Sequence, residues 1–566
     1  MSARRLLVLA VLALAACRKN AVPPPPPRPM PGAITIAPDV PSDVQGGAKN
    51  ADLRTAARYA WNEFIALNWP AKDGVRDTAD PNRKFGEQTG AVVWETFRSK
   101  VEIYPGNGNA DNGPHGWNQT NGYDEPPLYA YKSDVPPCSG QSAVQTPAWV
   151  NLDEVSQIGF DHMFAGKLRK AGIEPLIRFS AKANRVHYDY VVANKFWYKG
   201  NAPFDAAAAN FVAAVANNAF PPKGPYVDFP DGMIEIKPAF RRLTADEVRG
   251  KRFHTTRVRY YENANGSPCW REDTWGLTGL HIIQKTKSAP AFTWATFEQA
   301  DNILDEHGNA AENADGKVVH LAPPNTPPLV HQDGAPYQPG VIPIVKAEGP
   351  YCTDPGARLY YRDVATDPTT GETYPNVPNG GDICVGARMH PIPRAIIDIN
   401  EEAHHVIDAY DKQHRLKDSP WRHYKLINVQ TWPFNKTDIV ANPDSNRGAP
   451  AYHTSNITIE TDYTLQNHSG GPETKTGGAP SDIASNFLEH APQPPPSSIY
   501  MNTYLLDDKG NFVARYNMGG CTGCHGLTQI RAGSDFSYIL FESSVFDPET
   551  PDVKPVELTR KYLGRF

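Results

Sequence analysis

Cys521, Cys524 and His525 stand in the stretch GGCTGCHG, residues 519–526. Two thiols three positions apart, with an imidazole straight after the second, suit few chemistries. On one helical turn, positions 521, 524 and 525 share a face. Two thiolates so placed can add to the two vinyl groups of one haem. His525 is then aimed at the iron as an axial ligand. Gly519, Gly520, Gly523 and Gly526 let the backbone lie close to a flat macrocycle. A structural zinc site needs about four ligands, usually as two paired knuckles, and a second Cys-x-x-Cys is missing. Zinc would have to recruit distant histidines. A thioredoxin-like dithiol belongs between a strand and a helix of a βαβ unit and needs no following histidine. With Cys 7 and His 17 in 566 residues, a chance match to Cys-x-x-Cys-His is rare. One covalent haem is the reading these residues favour, with zinc and a dithiol as alternatives.

The N-terminus bears on that choice. MSARRLLVLAVLALAACRKN begins with Arg4 and Arg5 and continues into an apolar run, Leu6 to Leu14, too short to span a bilayer. This is the pattern of a secretory signal peptide, and covalent haem attachment takes place outside the bacterial cytoplasm. The run ends in Leu14-Ala15-Ala16-Cys17, which resembles the bacterial lipobox. The resemblance implies cleavage before Cys17 and lipid attachment to its thiol. Arg18 is not the retention-type Asp, so the periplasmic side of the outer membrane or the cell surface is expected. Pro23 to Pro27 favour an extended polyproline rod, a spacer between anchor and body.

Four cysteines remain after Cys17, Cys521 and Cys524. In an oxidising compartment an even remainder suggests two disulfides. Cys352 with Cys384 would staple a loop rich in Pro, Gly and Asp, which leaves Cys138 with Cys269; four cysteines allow three pairings.

The terminal segment resembles a c-type cytochrome. In the common small domain the motif comes early and a Met or His ligand follows it; here neither residue occurs after His525. A sixth ligand would come from upstream, where Met501, His490, His468, His453, Met389, His390, His404 and His405 stand, and none is singled out. Met518 lies too close to Cys521 to reach the far side. The chain also resembles a group of large exported bacterial monohaem proteins with one such motif near the C-terminus. The segments that carry this are GLTGLHIIQKT (276–286), WATFEQADN (294–302), WRHYKLINVQTW (421–432), CTGCHG and DFSYIL (535–540). The resemblance covers most of the chain after residue 51 and implies architecture and haem rather than a reaction.

The elements that must position the motif can be read in outline. Gly 44 and Pro 54 predict short elements and long loops. Residues 51–69 read as an amphipathic helix capped by Asp52, with Trp61 and Trp69 in the core. Residues 92–104 suggest helix or strand with a wet edge, and 158–172 could hold a short amphipathic helix. Residues 205–217 and 395–413 are helical, the latter with Asn400 as its cap. Residues 233–240, 252–262, 276–286, 292–298 and 421–434 alternate like strands. Residues 505–518 look like a hairpin turning at DKGN and leading into the motif.

The expected fold is mixed α+β, with a β-rich central region (antiparallel sheet or sandwich), peripheral helices and long loops, and a short C-terminal haem-binding segment. The divisions are 1–16 signal peptide, 17–50 anchor and spacer, 51–495 body, and 496–566 haem segment. His281, Glu298 and Asp301, with Lys237 or Glu235, could make a metal or acid–base site in the sheet; a buried histidine beside a solvated edge is the reading preferred.

The net charge of -6, without an extended basic patch, argues against nucleic acid. The function expected is a c-type cytochrome lipoprotein that carries one haem for electron transfer to a redox protein partner. The alternative is a haem-dependent oxidoreductase with an open iron site or a substrate cleft in the body. A third reading makes the body, with Tyr 25 and Trp 11, a glycan-binding module.

Overall fold

The computed structural model describes residues 32–104, 122–131, 134–155, 162–165, 176–197, 202–216, 222–264, 267–303, 310, 312–319, 359–362, 382–384, 392–417, 419–432, 439–440, 449–450, 454, 456–459, 503–506, 512–516, 521–522, 525, 528, 533, 535–543 and 551. The leader, Cys17, the proline run, Cys352, Cys524 and the DKGN turn lie outside these residues. The chain divides into residues 1–33 and 34–566, and every element named here belongs to the second unit.

Helix α1, Leu53–Leu67, starts where Asp52 accepts a hydrogen bond from the Thr55 amide at 2.8 Å. That bond satisfies one of the orphan donors of the first turn. Its stripe of Leu53, Ala57, Trp61, Phe64 and Ile65 is buried. Helices α2 (Arg185–Asn194), α3 (Ala202–Ala216) and α4 (Arg394–His414) follow.

Among the described residues, nine strands join in one sheet: β1 Arg98–Ser99, β2 Val150–Leu152, β3 Arg178–Phe179, β4 Lys182–Ala183, β5 Ile234–Arg241, β6 Thr255–Ala264, β7 Ser267–Thr286, β8 Ala289–Gln299 and β9 Tyr424–Gln430. The 20-residue β7 is the spine. Its first half pairs with β6, and its second half lies between β5 and β8. β9 extends the sheet beyond β8. All these pairings are antiparallel, whereas β2 runs parallel to β6. Pro238 lies inside β5, next to a register shift at Ala239/Phe240, which is where a strand tolerates a residue without an amide donor. The body is therefore mixed α+β around a large, mostly antiparallel sheet.

Alternation along the strands gives the sheet two faces. Ile234, Ile236, Leu280, Ile282, Ala295, Phe297, Leu426 and Val429 pack with α1 and α4 in one core. Phe64 stacks on Phe297 at 4.3 Å between ring centroids. The opposite face packs against α2, α3 and residues 536–540 in a second core, with Trp294, Phe292 and Phe229. Cys138 and Cys269 form a disulfide across 131 residues, which ties the segment at Pro136 to the start of β7.

Several expectations need correction. The folded body starts before residue 51: Ile34 joins the first core, and Val44 and Ala48 pack with Tyr59 and Ala289. Residues 34–50 are thus not spacer. From the expected haem segment, Cys521, Phe536, Ile539 and Leu540 pack onto the sheet. Residues 92–104 have no wet edge. They form a 3₁₀ turn, β1 and a short helix, and Glu95, Arg98 and Glu102 are buried because they meet ionic partners. Glu95 faces His254 at 2.8 Å, and Glu102 faces Arg98 and Arg76. In the stretch 158–172 the structure places a strand, His162–Ala165, paired with Leu359–Arg362. Asn400 is no cap: α4 begins six residues earlier, and the Asn400 side chain bridges Trp61, Leu426 and Asp315. No helix among the described residues is long and apolar enough to cross a membrane.

Candidate functional site: the motif on the polar face of the sheet

Cys521, Thr522, His525 and Thr528 are helical, and they rest on the second face of the sheet. Thr522 is clasped by Gln430 at the end of β9. The Gln430 amide nitrogen donates to Thr522 Oγ1 at 2.9 Å, and the Thr522 amide donates to Gln430 Oε1 at 3.4 Å. The chain then doubles back. Gly533 has φ +59° and sits against α3, where an added Cβ would lie 2.8 Å from Phe211 Cβ and 3.0 Å from the Ala208 backbone. Both the left-handed backbone and the close approach therefore require glycine. Asp535, at φ 55°, completes the reversal.

The returning strand of chain is pinned by charge. The Asp535 carboxylate accepts from the Phe229 amide at 3.1 Å and from Lys285 Nζ at 2.8 Å, and Lys285 also pairs with Asp228. Burial alone would pull the Lys285 ammonium down, but the two carboxylates outweigh it and hold it above its ordinary value. Burial also pushes the Asp535 carboxyl up to about 6, against the pull of Lys285. Ser537 donates to Glu235 Oε1 at 2.5 Å and accepts from the Leu540 amide, so the helix Tyr538–Ser543 begins under β5.

This reversal delivers the Phe536 carbonyl to His525 Nδ1, at 2.9 Å. A carbonyl is only an acceptor, so the proton resides on Nδ1 and Nε2 keeps its lone pair. Trp294 from β8 packs on the ring at 4.2 Å between centroids, and Tyr538 meets it edge-on at 4.7 Å. Burial pushes the His525 imidazolium down to about 3; the Phe536 carbonyl opposes this and the Lys237 charge adds to it. His525 is thus a neutral imidazole with an oriented Nδ1–H, which is how metal-ligating histidines are commonly held. The half-buried Cys521 lies one turn earlier in the same segment. These residues fit a covalently held haem with His525 as its iron ligand.

The site foreseen around His281 is only partly assembled. Lys237 faces His281 across β5 and β7, and His281 faces Thr296 across β7 and β8. All three lie on the second face. Glu298 shares that face but accepts the Ile457 amide at 2.6 Å, while Asp301 turns away to Arg252 at 2.6 and 2.7 Å. The two carboxylates are engaged in holding loops. Among the described residues, no three His, Cys, Asp or Glu side chains gather as a metal-binding group.

Sequence reasoning did not assign roles to Trp294, Gln430, Lys285 or Phe536. Trp294 and Phe536 do fall in WATFEQADN and DFSYIL, segments noted in the sequence without a role. Lys285 and Gln430 likewise fall in GLTGLHIIQKT and WRHYKLINVQTW, but nothing in those segments reveals their partners, which lie 250 and 92 residues away. No protein-family model, no curated protein and no solved structure matches this chain.

Proposed function

We propose that the protein is an exported, lipid-anchored monohaem c-type cytochrome that passes electrons to a redox protein partner. One observation carries this reading. In a Cys-x-x-Cys-His sequence, His525 is held neutral, with Nδ1–H fixed on the Phe536 carbonyl. The haem would supply one-electron chemistry, with its potential tuned by burial and axial ligation. Cys521 and Cys524 would anchor it, and His525 would bind its iron. The sheet face, the Gln430 clasp and the Asp535–Lys285 pair hold the segment in place. A structural zinc centre usually takes two paired knuckles, and the sequence has a single Cys-x-x-Cys.

The test is expression of the full chain with an export route and a c-type haem maturation system. The expected result is a mass gain of one haem per chain and a reduced spectrum with a sharp α-band. Cys521→Ala with Cys524→Ala should abolish both, and absence of covalent haem in the native chain would overturn the reading. Cys17→Ala should release the protein from the membrane fraction. A haem-dependent oxidoreductase is the second reading. It is favoured by the half-buried Lys237 and His281 beside the motif. A high-spin ferric spectrum that responds to peroxide or cyanide would select it.

A further inference from the structure

The second sheet face has two coverings. Residues 456–459 close one end: Asn456 donates to Thr296 Oγ1 at 2.8 Å, and Thr458 sits on Gly279, where a Cβ would lie 2.5 Å from Thr458 Oγ1. The motif segment closes the other end, over Trp294 and Glu235. Lys237 and His281 face each other between the two coverings. Each is half-buried on strands whose neighbouring residues are buried. Neither side chain of this pair is fully covered, and the Lys237 charge lies near enough to His525 to disfavour its imidazolium.

The other lysines of the sheet have partners. Lys285 meets Asp228 and Asp535, Lys425 meets Glu312 at 2.6 Å, and Lys182 donates to Ser99 Oγ and the Trp149 carbonyl. Lys237 has no hydrogen bond or ion pair among the described residues, although acids stand close in the fold. Glu235, two residues away, is engaged by Ser537, and Glu298 by Ile457. On this face Lys285 and Lys425 meet carboxylates, whereas the half-covered Lys237 ammonium keeps its donors for an oxyanion from outside the sheet.

We propose that Lys237, flanked by His281, binds an oxyanion or carboxylate beside His525. The proposal rests on the haem reading above and names a ligand class for the same site. Two sources share the chemistry: a carboxylate of the haem itself, or a free small oxyanion that enters from solvent. Lys237 would receive it as a point charge, which demands little of the ligand's geometry.

The test uses the full chain carrying covalent haem, as wild type and as Lys237→Gln and Lys237→Arg. Haem content, measured first, separates failure of the cytochrome reading from failure of this one, because a chain without haem overturns both. Sulfate is then titrated calorimetrically, and the haem carboxylate bending bands are recorded by resonance Raman spectroscopy. For a free anion, Lys237→Gln should weaken sulfate binding about tenfold or more, while Lys237→Arg retains it. For a haem carboxylate, sulfate should not bind the wild type, and the carboxylate bands should shift in Lys237→Gln and recover in Lys237→Arg. Haem-loaded protein in which Lys237→Gln moves neither readout would overturn the proposal.

Discussion

On β5, Ile234 and Ile236 point into the core beneath α1 and α4, whereas Glu235 and Lys237, one residue along, belong to the face that receives the motif. The same strands thus build two different interiors. The first is filled by Trp61, Phe64, Phe297 and their neighbours, with ring centroids 4.3 to 5.3 Å apart. The second mixes aromatic packing with buried ions and hydrogen-bonded side chains. The first face has the composition of a stability core. The second costs desolvation energy at Lys285, Asp535 and Lys425, and in return it fixes the position of a short segment. This contrast can be broken or sharpened by substitution.

The largest effect is expected on the first face. Trp61 is fully buried and donates to Asn400 Oδ1 at 2.9 Å. Trp61→Ala should cost ~3–5 kcal/mol in urea unfolding, while the protein that remains folded keeps its normal haem content. A selective loss of haem would mean that the two faces are not independent.

Lys285→Met comes next. It leaves Asp535 and Asp228 without their cation, a change that costs about 3 kcal/mol in comparable buried pairs. The loss should appear locally, as protease cleavage in residues 521–543 before the body unfolds. Adding Asp535→Asn should restore much of the protection. An equal loss of protection throughout the body would contradict the separation of the faces.

The smallest effect is a pH dependence that belongs to the first region. Burial, aided by Arg252, pulls His423 down to about 4, below the unfolded value of about 6.5. Below pH 6.5 the unfolded chain takes up protons that the folded one refuses. Stability should therefore fall as pH drops from 6.5 toward 4. Melting temperature against pH checks this, and His423→Gln should flatten the slope without touching the motif.

How much of this could be read in the sequence varied with how local each cause was. The stripe at Trp61 and the cap at Asp52 lie within one helix, so α1 was legible. The alternation of residues 233–240 and 276–298 revealed strands, yet it made the second face look like a solvated edge. Its acids and lysines are covered by partners distant in sequence, such as Asp535 over Lys285. Asn400 resembles a cap by residue type, and only Trp61 and Leu426, brought beside it by the fold, show that it is a bridge. The proline run led to residues 34–50 being read as spacer, although Ile34 and Val44 are buried. The Cys–Cys–His spacing pointed to His525 directly, but the Phe536 carbonyl that orients it depends on a reversal at Gly533 that no motif announces.

The contacts that seat the motif join residues far apart in the chain. Hairpins such as β7–β8 close between neighbours in the chain. Thr522 must find Gln430 across 92 residues, and Ser537 must find Glu235 across 302. Closing loops of that size carries an entropic penalty and slows formation. Whenever the motif segment is undocked, the second face is open to water. A greasy surface left waiting in this way would invite aggregation. Glu235, Lys237, Lys285 and Lys425 keep it wettable, so the charges that later grip the motif also protect the chain until it arrives.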